Sequence, residues 1–147
     1  MSILPGQLVD EVELPVERGK IREFARATFT ADPVHTNESL ALAAGLAGVP
    51  ATATYSVGVG HYRDQAAFVA RLGMSISRVV VGSVSWNYLR VLVEGDILTA
   101  TRGVESDEKR VGKSGPMRVV TLVTRFVDQR GDLALVQREV LIERGTP

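Results

Sequence analysis

The sequence contains no cysteine, one tryptophan and no surplus of either charge, with 17 lysines and arginines against 17 aspartates and glutamates in 147 residues. The lack of cysteine excludes a disulfide framework, a thiolate nucleophile and a cysteine-ligated zinc site. A formal net charge of zero provides no electrostatic footprint for nucleic acid or for an anionic membrane surface, so neither is expected as a partner. Because 45% of the residues are hydrophobic, we expect one core and a single domain over residues 1–147.

The sequence also has no long apolar run. The first fifteen residues include Asp10, Glu11 and Glu13, whereas a signal peptide needs a basic start followed by an apolar stretch. No window approaches the roughly 18 unbroken apolar residues of a membrane-spanning helix. These absences predict a cytoplasmic protein.

Signals for cofactors are missing as well. The two histidines, His35 and His61, lie on different predicted elements and have no metal-ligand spacing. No glycine-rich turn joins a strand to a helix, as a dinucleotide site requires. The sequence therefore predicts neither a metal nor an organic cofactor.

The first half of the chain is mainly helical in its pattern. The spacing of Ile21, Phe24, Ala25 and Thr28 predicts an amphipathic helix that ends near Phe29. Residues 7–14 are predicted as an edge strand, residues 38–45 as a short helix capped by Asn37, and residues 51–72 as a long helix. The long helix has no charge over residues 51–60, so it should be buried, and its Gly58 and Gly60 indicate a close neighbour.

The second half has the composition of β-structure. Strands are predicted over residues 75–88, with a bend at Gly82, and over residues 97–104, 119–127 and 133–142. Residues 128–132 are predicted to turn the last hairpin, and the charged residues 105–115 to form a solvent-exposed turn. Helices followed by about five antiparallel strands predict an α+β architecture.

Several segments together resemble one protein family. Residues 28–35 read T-F-T-A-D-P-V-H, residues 36–48 form an alanine-rich stretch, and residues 49–55 read V-P-A-T-A-T-Y. This order is similar to the motif S-G-D-x-N-P-x-H, the short helix and the central helix of the MaoC-like family, which comprises R-specific enoyl-CoA hydratases and 3-hydroxyacyl-ACP dehydratases. The likeness extends to V-S-W-N-Y, V-E-G-D and D-Q-R-G-D further along, and thus covers nearly the whole chain. It implies a hot-dog fold, an antiparallel sheet wrapped around a long central helix.

The resemblance implies a catalytic pair in the motif, an aspartate and a histidine that bind one water and move protons between it and the α-carbon of a thioester. The histidine corresponds to His35 and the proline to Pro33, whereas the aspartate falls on Thr30 and the asparagine on Asp32. A threonine hydroxyl holds a water but is no general base near neutral pH. Either Asp32 reaches the water by a changed loop path, or a second, complete subunit supplies the pair.

The resemblance further implies a binding site for the thioester carbonyl at the start of the central helix. It assigns this role to the backbone amide of Ala53, with Thr54, and assigns Tyr55 to substrate binding. We expect Thr52 to cap the helix, and His61 and the neighbouring tyrosine to be structural. The uncharged face that includes Tyr55 suits both a core and an acyl pocket.

The implied function is reversible hydration and dehydration of a 2-enoyl or (R)-3-hydroxyacyl thioester carried on coenzyme A or acyl carrier protein. The chain would form a homodimer, or a heterodimer with another hot-dog subunit. Three states stay open: an enzyme active alone, a non-catalytic subunit beside a catalytic homologue, and a ligand-binding relic. A thioesterase would need a carboxylate near the start of the helix, and only Asp32 and Glu38 are candidates.

Overall fold

The computed structural model of the protein describes residues 3–145 as a five-stranded sheet with short helices. The strands are β1 (Leu8–Pro15), β2 (Val79–Tyr88), β3 (Ile97–Gly112), β4 (Gly115–Val127) and β5 (Leu133–Arg144). The α-helices are α1 (Arg18–Ala27), α2 (Glu38–Ala43) and α3 (Gln65–Arg71), and the 3₁₀ segments are Pro33–His35, Tyr55–Tyr62 and Ile76–Arg78. Within residues 3–145 no helix is both long and apolar enough to traverse a lipid bilayer.

All strand pairs are antiparallel, in the order β1-β3-β4-β5-β2, so β1 and β2 form the two edges of the sheet. The register of β2 shifts between Val81 and Ser83, which places a bulge at Gly82 where a bend was predicted. The predicted hairpin turn over residues 128–132 is also present between β4 and β5. The α+β class and the five strands are thus confirmed.

The helices before the sheet form for local reasons. Helix α1 buries Ile21 and Ala25, which lie one turn apart on its apolar stripe. Helix α2 begins after Asn37, whose side-chain oxygen accepts the N–H of Leu40 at 3.2 Å. Helix α2 buries Ala41, whereas Leu40 remains 44% exposed.

The predicted continuous helix over residues 51–72 is wrong in detail, because it is divided into two pieces. The 3₁₀ helix Tyr55–Tyr62 ends at Arg63, whose backbone is extended, and α3 starts afresh after Asp64. The carboxylate of Asp64 accepts the N–H of Ala67 at 2.9 Å and so caps the new helix. We call residues 53–71, which include both helical pieces, the central segment.

The prediction of a solvent-exposed turn over residues 105–115 is also wrong. Strand β3 continues to Gly112 and β4 starts at Gly115, so the connection between them is only two residues long. Charged residues in this long hairpin pair across the strands: Arg118 donates to both carboxylate oxygens of Asp107, at 2.9 and 2.6 Å. The predicted strand over residues 75–88 begins later, at Val79, because residues 76–78 form a 3₁₀ turn.

The central segment packs on one face of the sheet through two apolar clusters. Tyr55 and Val59 pack with Phe126 and Leu135 among others, whereas α3 contributes Phe68 to the second cluster. A row of polar side chains in register runs across this face between residues of the two clusters. We call it the polar row, and it consists of Asp10, Arg102, Thr124, Gln137 and Trp86.

Candidate functional site

His35 ends a single 3₁₀ turn that begins at Pro33. Asp32 caps this turn, since its Oδ1 accepts the N–H of Val34 at 3.0 Å. The ring of His35 is partly buried, and its Nδ1 lies 2.8 Å from the carbonyl oxygen of Pro50. Because a carbonyl oxygen only accepts, Nδ1 carries the hydrogen, and Nε2 of the neutral ring keeps a free lone pair. The hydrogen bond to Pro50 therefore fixes the tautomer in which the hydrogen is on Nδ1 and not on Nε2.

Within residues 3–145, the other motif positions place no acid in direct hydrogen-bond contact with this ring. The hydroxyl of Thr30 lies 3.0 Å from that of Thr28, which also contacts the carbonyl of Phe24 at 2.8 Å. Asp32 is exposed, and its carboxylate serves the backbone of its own turn. Over residues 3–145, the ring of His35 has a hydrogen bond to Pro50 and none to a carboxylate.

The start of the central segment offers free backbone amides. Ala53 and Thr54 are exposed, and within residues 3–145 neither N–H donates a hydrogen bond, whereas the N–H of Tyr55 donates to the carbonyl of Thr52 at 3.1 Å. The hydroxyl of Tyr88, on β2, donates to the carbonyl of Ala53. In a trans peptide the N–H points opposite to the preceding carbonyl, so the N–H of Thr54 points away from Tyr88. Such unbonded amides attract a carbonyl oxygen with developing negative charge.

Side chains of the sheet hold this start in place. Trp86 donates from Nε1 to the hydroxyl of Ser56 at 2.9 Å, and Ser56 donates to the side-chain carbonyl of Gln137 at 2.8 Å. Burial raises the pKa of Tyr88, although the neighbouring hydroxyl of Ser56 partly offsets this, so the phenol stays a donor at neutral pH. Sequence analysis placed Trp86 and Tyr88 only within the predicted strand over residues 75–88. No local sequence signal identifies their hydrogen-bond partners.

A cavity of about 570 Å³ lies between α1 and the central segment. Its apolar lining is Leu14, Phe24, Ala27, Tyr55, Val57 and Gly58, and its polar lining is Lys20, Glu23, His61 and Tyr62. The rings of Phe24 and Tyr55 meet edge to face at 5.8 Å between centroids. The expected close neighbour of Gly58 is absent, because a Cβ there would meet open space, and the glycine instead widens the cavity. The face with Tyr55 thus serves both the core and a pocket.

Three further expectations concern Thr52, His61 and Tyr62. Thr52 does not cap the helix: its hydroxyl is buried and has no hydrogen-bond partner within residues 3–145. His61 and Tyr62 are exposed at the rim of the cavity. The hydroxyl of Tyr62 accepts from Lys20 Nζ at 2.7 Å, and this bond raises the pKa of Lys20. The rim is therefore charged and the interior apolar.

A second cavity, of about 530 Å³, lies beside the turn over residues 93–96. Both cations in its lining are already paired: Arg90 donates to Asp96 at 2.7 Å and to Asp128 at 2.8 Å, and Arg130 donates to Asp128 at 3.0 Å. Burial favours the neutral acid of Asp128, but the backbone N–H of Asp132 and the side chains of Arg130 and Arg90 lower its pKa overall. These ion pairs attach the β4–β5 turn to the loop between β2 and β3. Within residues 3–145, no three His, Cys, Asp or Glu side chains group as metal ligands do.

Comparison with known proteins places this geometry in a family. The profile of the FAS1-like, dehydratase domain region matches residues 4–137. A UPF0336 protein from Leifsonia xyli subsp. xyli is 36% identical over 131 residues, which cover 88% of this chain and 85% of that protein.

Two solved structures share the fold. A chain of the C-terminally truncated HadBC (3R-hydroxyacyl-ACP dehydratase) complex from Mycobacterium tuberculosis superposes with a TM-score of 0.77 at 22% identity, covering 89% of this chain and 90% of that one. The (R)-hydratase from A. caviae involved in PHA biosynthesis gives 0.69 at 20% identity, covering 96% and 97%. The predicted hot-dog fold is confirmed, and the chain belongs to the MaoC-like dehydratase family, among relatives of the UPF0336 group.

Proposed function

We propose that the chain is the acyl-binding subunit of a two-subunit hot-dog hydro-lyase. The complex hydrates 2-enoyl thioesters and dehydrates (R)-3-hydroxyacyl thioesters, carried on coenzyme A or acyl carrier protein. This chain contributes one hot-dog domain and part of the acyl tunnel, and its partner contributes the complete aspartate–histidine pair.

The observation that carries this proposal is that, within residues 3–145, no carboxylate contacts the ring of His35 directly. Thr30 occupies the motif's aspartate position, and its hydroxyl contacts Thr28. Asp32, the nearest alternative, is exposed and caps its own turn. General acid–base catalysis requires a group of suitable pKa within hydrogen-bond reach of the water, and a hydroxyl does not meet that requirement.

The cavity beside the central segment supports the binding role. Its volume of about 570 Å³ falls in the range of small-molecule pockets, and its interior is apolar with a polar rim, as an acyl chain with a polar head requires. The free amides of Ala53 and Thr54 stand at the start of the same segment, as hydrogen-bond donors for a thioester carbonyl. The HadBC complex, a hot-dog dehydratase of two subunits, supports the assembly by analogy.

A second candidate is an enzyme that is active by itself. It is favoured by the tautomer of His35, whose Nε2 is free to take up a proton, and by the amides of Ala53 and Thr54. In this candidate Asp32 or Thr30 holds the water, Tyr55 contacts the acyl chain, and a homodimer forms the site.

Coexpression separates the two candidates. We expect the purified chain to show no turnover of crotonyl-CoA above background, and coexpression with a MaoC-like homologue that has the complete motif to yield an active heteromer. The rate is followed as loss of the enoyl-thioester absorbance. The control is the same heteromer with the homologue's motif aspartate replaced by asparagine, which should be inactive. Turnover by the purified homomer that is lost in His35→Ala would contradict the proposal and establish the second candidate.

Filling the cavity tests the acyl-binding role directly. Gly58→Leu places a side chain in open space that lines the cavity. Each CH₂ excluded from an apolar site costs about 0.8 kcal/mol, so we expect at least about tenfold weaker binding of 2-dodecenoyl-CoA and little change for crotonyl-CoA. Calorimetric titration of the purified chain measures both affinities. Gly19→Leu, an exposed position of α1 outside the lining, is the control, and unchanged dodecenoyl-CoA affinity in Gly58→Leu places the acyl chain elsewhere.

A further inference from the structure

Phe29 closes α1 in a conformation that phenylalanine rarely adopts. Its φ is +56°, and it alone among the non-glycine residues 3–145 has a positive φ. Its N–H donates to the carbonyl of Arg26 at 3.2 Å, and the N–H of Thr30 donates to that of Ala25 at 2.8 Å. These two bonds form a Schellman motif, in which the left-handed position is usually glycine because a Cβ is strained there. A glycine at this position would remove the backbone strain.

The side chain of Phe29 gains nothing from packing either. It is 94% exposed, more than any other large hydrophobic residue in the described part of the chain. The exposed ring therefore contributes no burial energy, while the left-handed backbone costs strain, and strained backbone positions cluster at functional sites. The position therefore indicates that the ring is used against another molecule.

Two free cations continue the same surface. Arg18, Arg22, Arg26 and Phe29 are spaced by four, four and three residues and so lie on one stripe of α1. Arg18 is engaged by Glu38 and Glu94. Arg22 and Arg26 are exposed and make no ion pair within residues 3–145. We call Arg22, Arg26 and Phe29 the α1 surface.

The α1 surface is separate from the acyl cavity. A different stripe of α1, which includes Glu23, lines the acyl cavity. The three residues of the α1 surface line neither this cavity nor the second one. Asp32 is the nearest acid along the chain beyond Phe29, and its carboxylate caps the next turn. A helix face outside both cavities suits a protein surface better than a small ligand, which needs a concave site.

We propose that the α1 surface docks an acidic acyl carrier protein that delivers the thioester. Exposed, unpaired arginines attract a surface of opposite charge and fix its orientation, and an exposed aromatic ring provides an apolar anchor. The surface leads directly into Thr30 and the turn of His35, so a carrier docked there stands beside the proposed site. This inference rests on the proposed function and selects the carrier, which the proposed function leaves as coenzyme A or acyl carrier protein.

Charge reversal at the two arginines is the first test. Calorimetry compares binding of crotonyl-CoA, crotonylated acyl carrier protein and apo acyl carrier protein from a bacterial type II fatty acid synthase. We expect Arg22→Glu/Arg26→Glu to weaken binding of both carrier proteins at least about tenfold and to leave crotonyl-CoA unchanged, with the loss shrinking in high salt. Arg125→Glu, an exposed arginine of β4 that is also unpaired within residues 3–145, is the matched control.

Phe29→Gly is the second test, and it separates docking from folding. Glycine relieves the strain at φ +56°, so we expect the melting temperature to rise by about 2–5 °C. The same variant should bind acyl carrier protein several-fold more weakly, because the apolar anchor is gone. A variant that is more stable yet binds the carrier less well is not explained by a structural role of Phe29.

The remaining outcomes overturn the inference in distinct ways. Unchanged carrier binding in the arginine variant shows that the α1 surface is not a docking site. Equal weakening for crotonyl-CoA shows that the arginines bind the phosphates of the nucleotide instead. Loss of a copurifying hot-dog subunit, with carrier binding intact, assigns the surface to a subunit interface. If the wild-type chain binds apo carrier protein but neither crotonyl thioester, the proposed acyl-binding function fails while the docking surface stands.

Discussion

Replacing Thr30 with aspartate is expected to bring hydration of crotonyl-CoA by the purified chain to about 10²- to 10⁴-fold above background, the contribution typical of a positioned general acid–base group. The substitution adds the carboxylate where the family motif has it. The remaining parts already stand in place: His35 is held through Nδ1 by Pro50, and the amides of Ala53 and Thr54 are unbonded. The gain thus measures the one group that the chain lacks.

Two variants show whether the gain belongs to a restored pair. Thr28→Asp makes the same chemical change two residues earlier, at the hydroxyl that contacts Thr30, and should give no gain. Adding His35→Ala to Thr30→Asp should return the rate to background, because a pair that shares one water needs both members. Turnover is followed in the same enoyl-CoA assay, with circular dichroism as a check on folding.

A well-folded Thr30→Asp chain that stays inactive would show that more than one carboxylate separates it from a complete enzyme. A gain that persists in the double variant with His35→Ala would remove His35 from the chemistry. Either result would contradict the assignment of these motif positions. Strong wild-type turnover before any substitution would instead favour the enzyme that is active alone.

The fold was predictable where a pattern is decided locally. The apolar stripe of α1, the cap at Asn37 and the turn over residues 128–132 depend on neighbours within one or two turns, and all three are present. The charged residues 105–115 misled the prediction because charge usually marks a loop. Here the two strands of an exposed hairpin supply the opposite charges, as in the pair of Asp107 and Arg118, and the strands continue.

The candidate site was predictable only in its parts. The motif drew attention to His35 and to residues 49–55, but the contact of the imidazole with Pro50 depends on how a loop folds across fifteen residues. The bonds of Tyr88 to Ala53 and of Trp86 to Ser56 join segments about thirty residues apart or more. The left-handed backbone of Phe29 contradicts its residue type, so no propensity predicts it.

No pattern in the sequence predicted the polar row under the central segment. One of its members, Asp10, is the residue whose substitution has the largest expected effect on stability. Asp10 receives two hydrogen bonds from Arg102, one of them at 3.1 Å from Nε, and Arg63 Nε lies 3.4 Å from the same carboxylate without hydrogen-bond geometry. Both arginine side chains are 1% exposed. Burial and the neighbouring Arg102 lower the pKa of Arg63 to about 10, so Arg63 remains a cation at neutral pH. Asp10 thus contacts two buried guanidinium groups, and Glu139 is a further acid whose charge acts on Arg63.

Replacing Asp10 with asparagine is expected to lower the free energy of unfolding by about 3–5 kcal/mol, because it removes the one carboxylate that contacts both buried arginines within residues 3–145. A loss of this size is a large share of the roughly 5–15 kcal/mol that keeps a domain folded. Urea unfolding measures it, and with an m-value of about 1–3 kcal/mol/M the midpoint should fall by more than about 1 M. Glu13→Gln, on the exposed face of the same strand, is the matched control and should change the midpoint little.

A second substitution distinguishes charge compensation from simple packing. Arg63 has two buried nitrogens without hydrogen-bond partners within residues 3–145, so it is the cation least well satisfied. Arg63→Met removes that charge and keeps much of the side-chain volume, and we expect it to recover part of the stability lost in Asp10→Asn. If the two losses simply add, the carboxylate does not compensate Arg63. If Asp10→Asn costs no more than Glu13→Gln, Asp10 does not compensate either arginine, and Arg102 must then draw its stability from the ring of Phe68, 3.8 Å below its guanidinium.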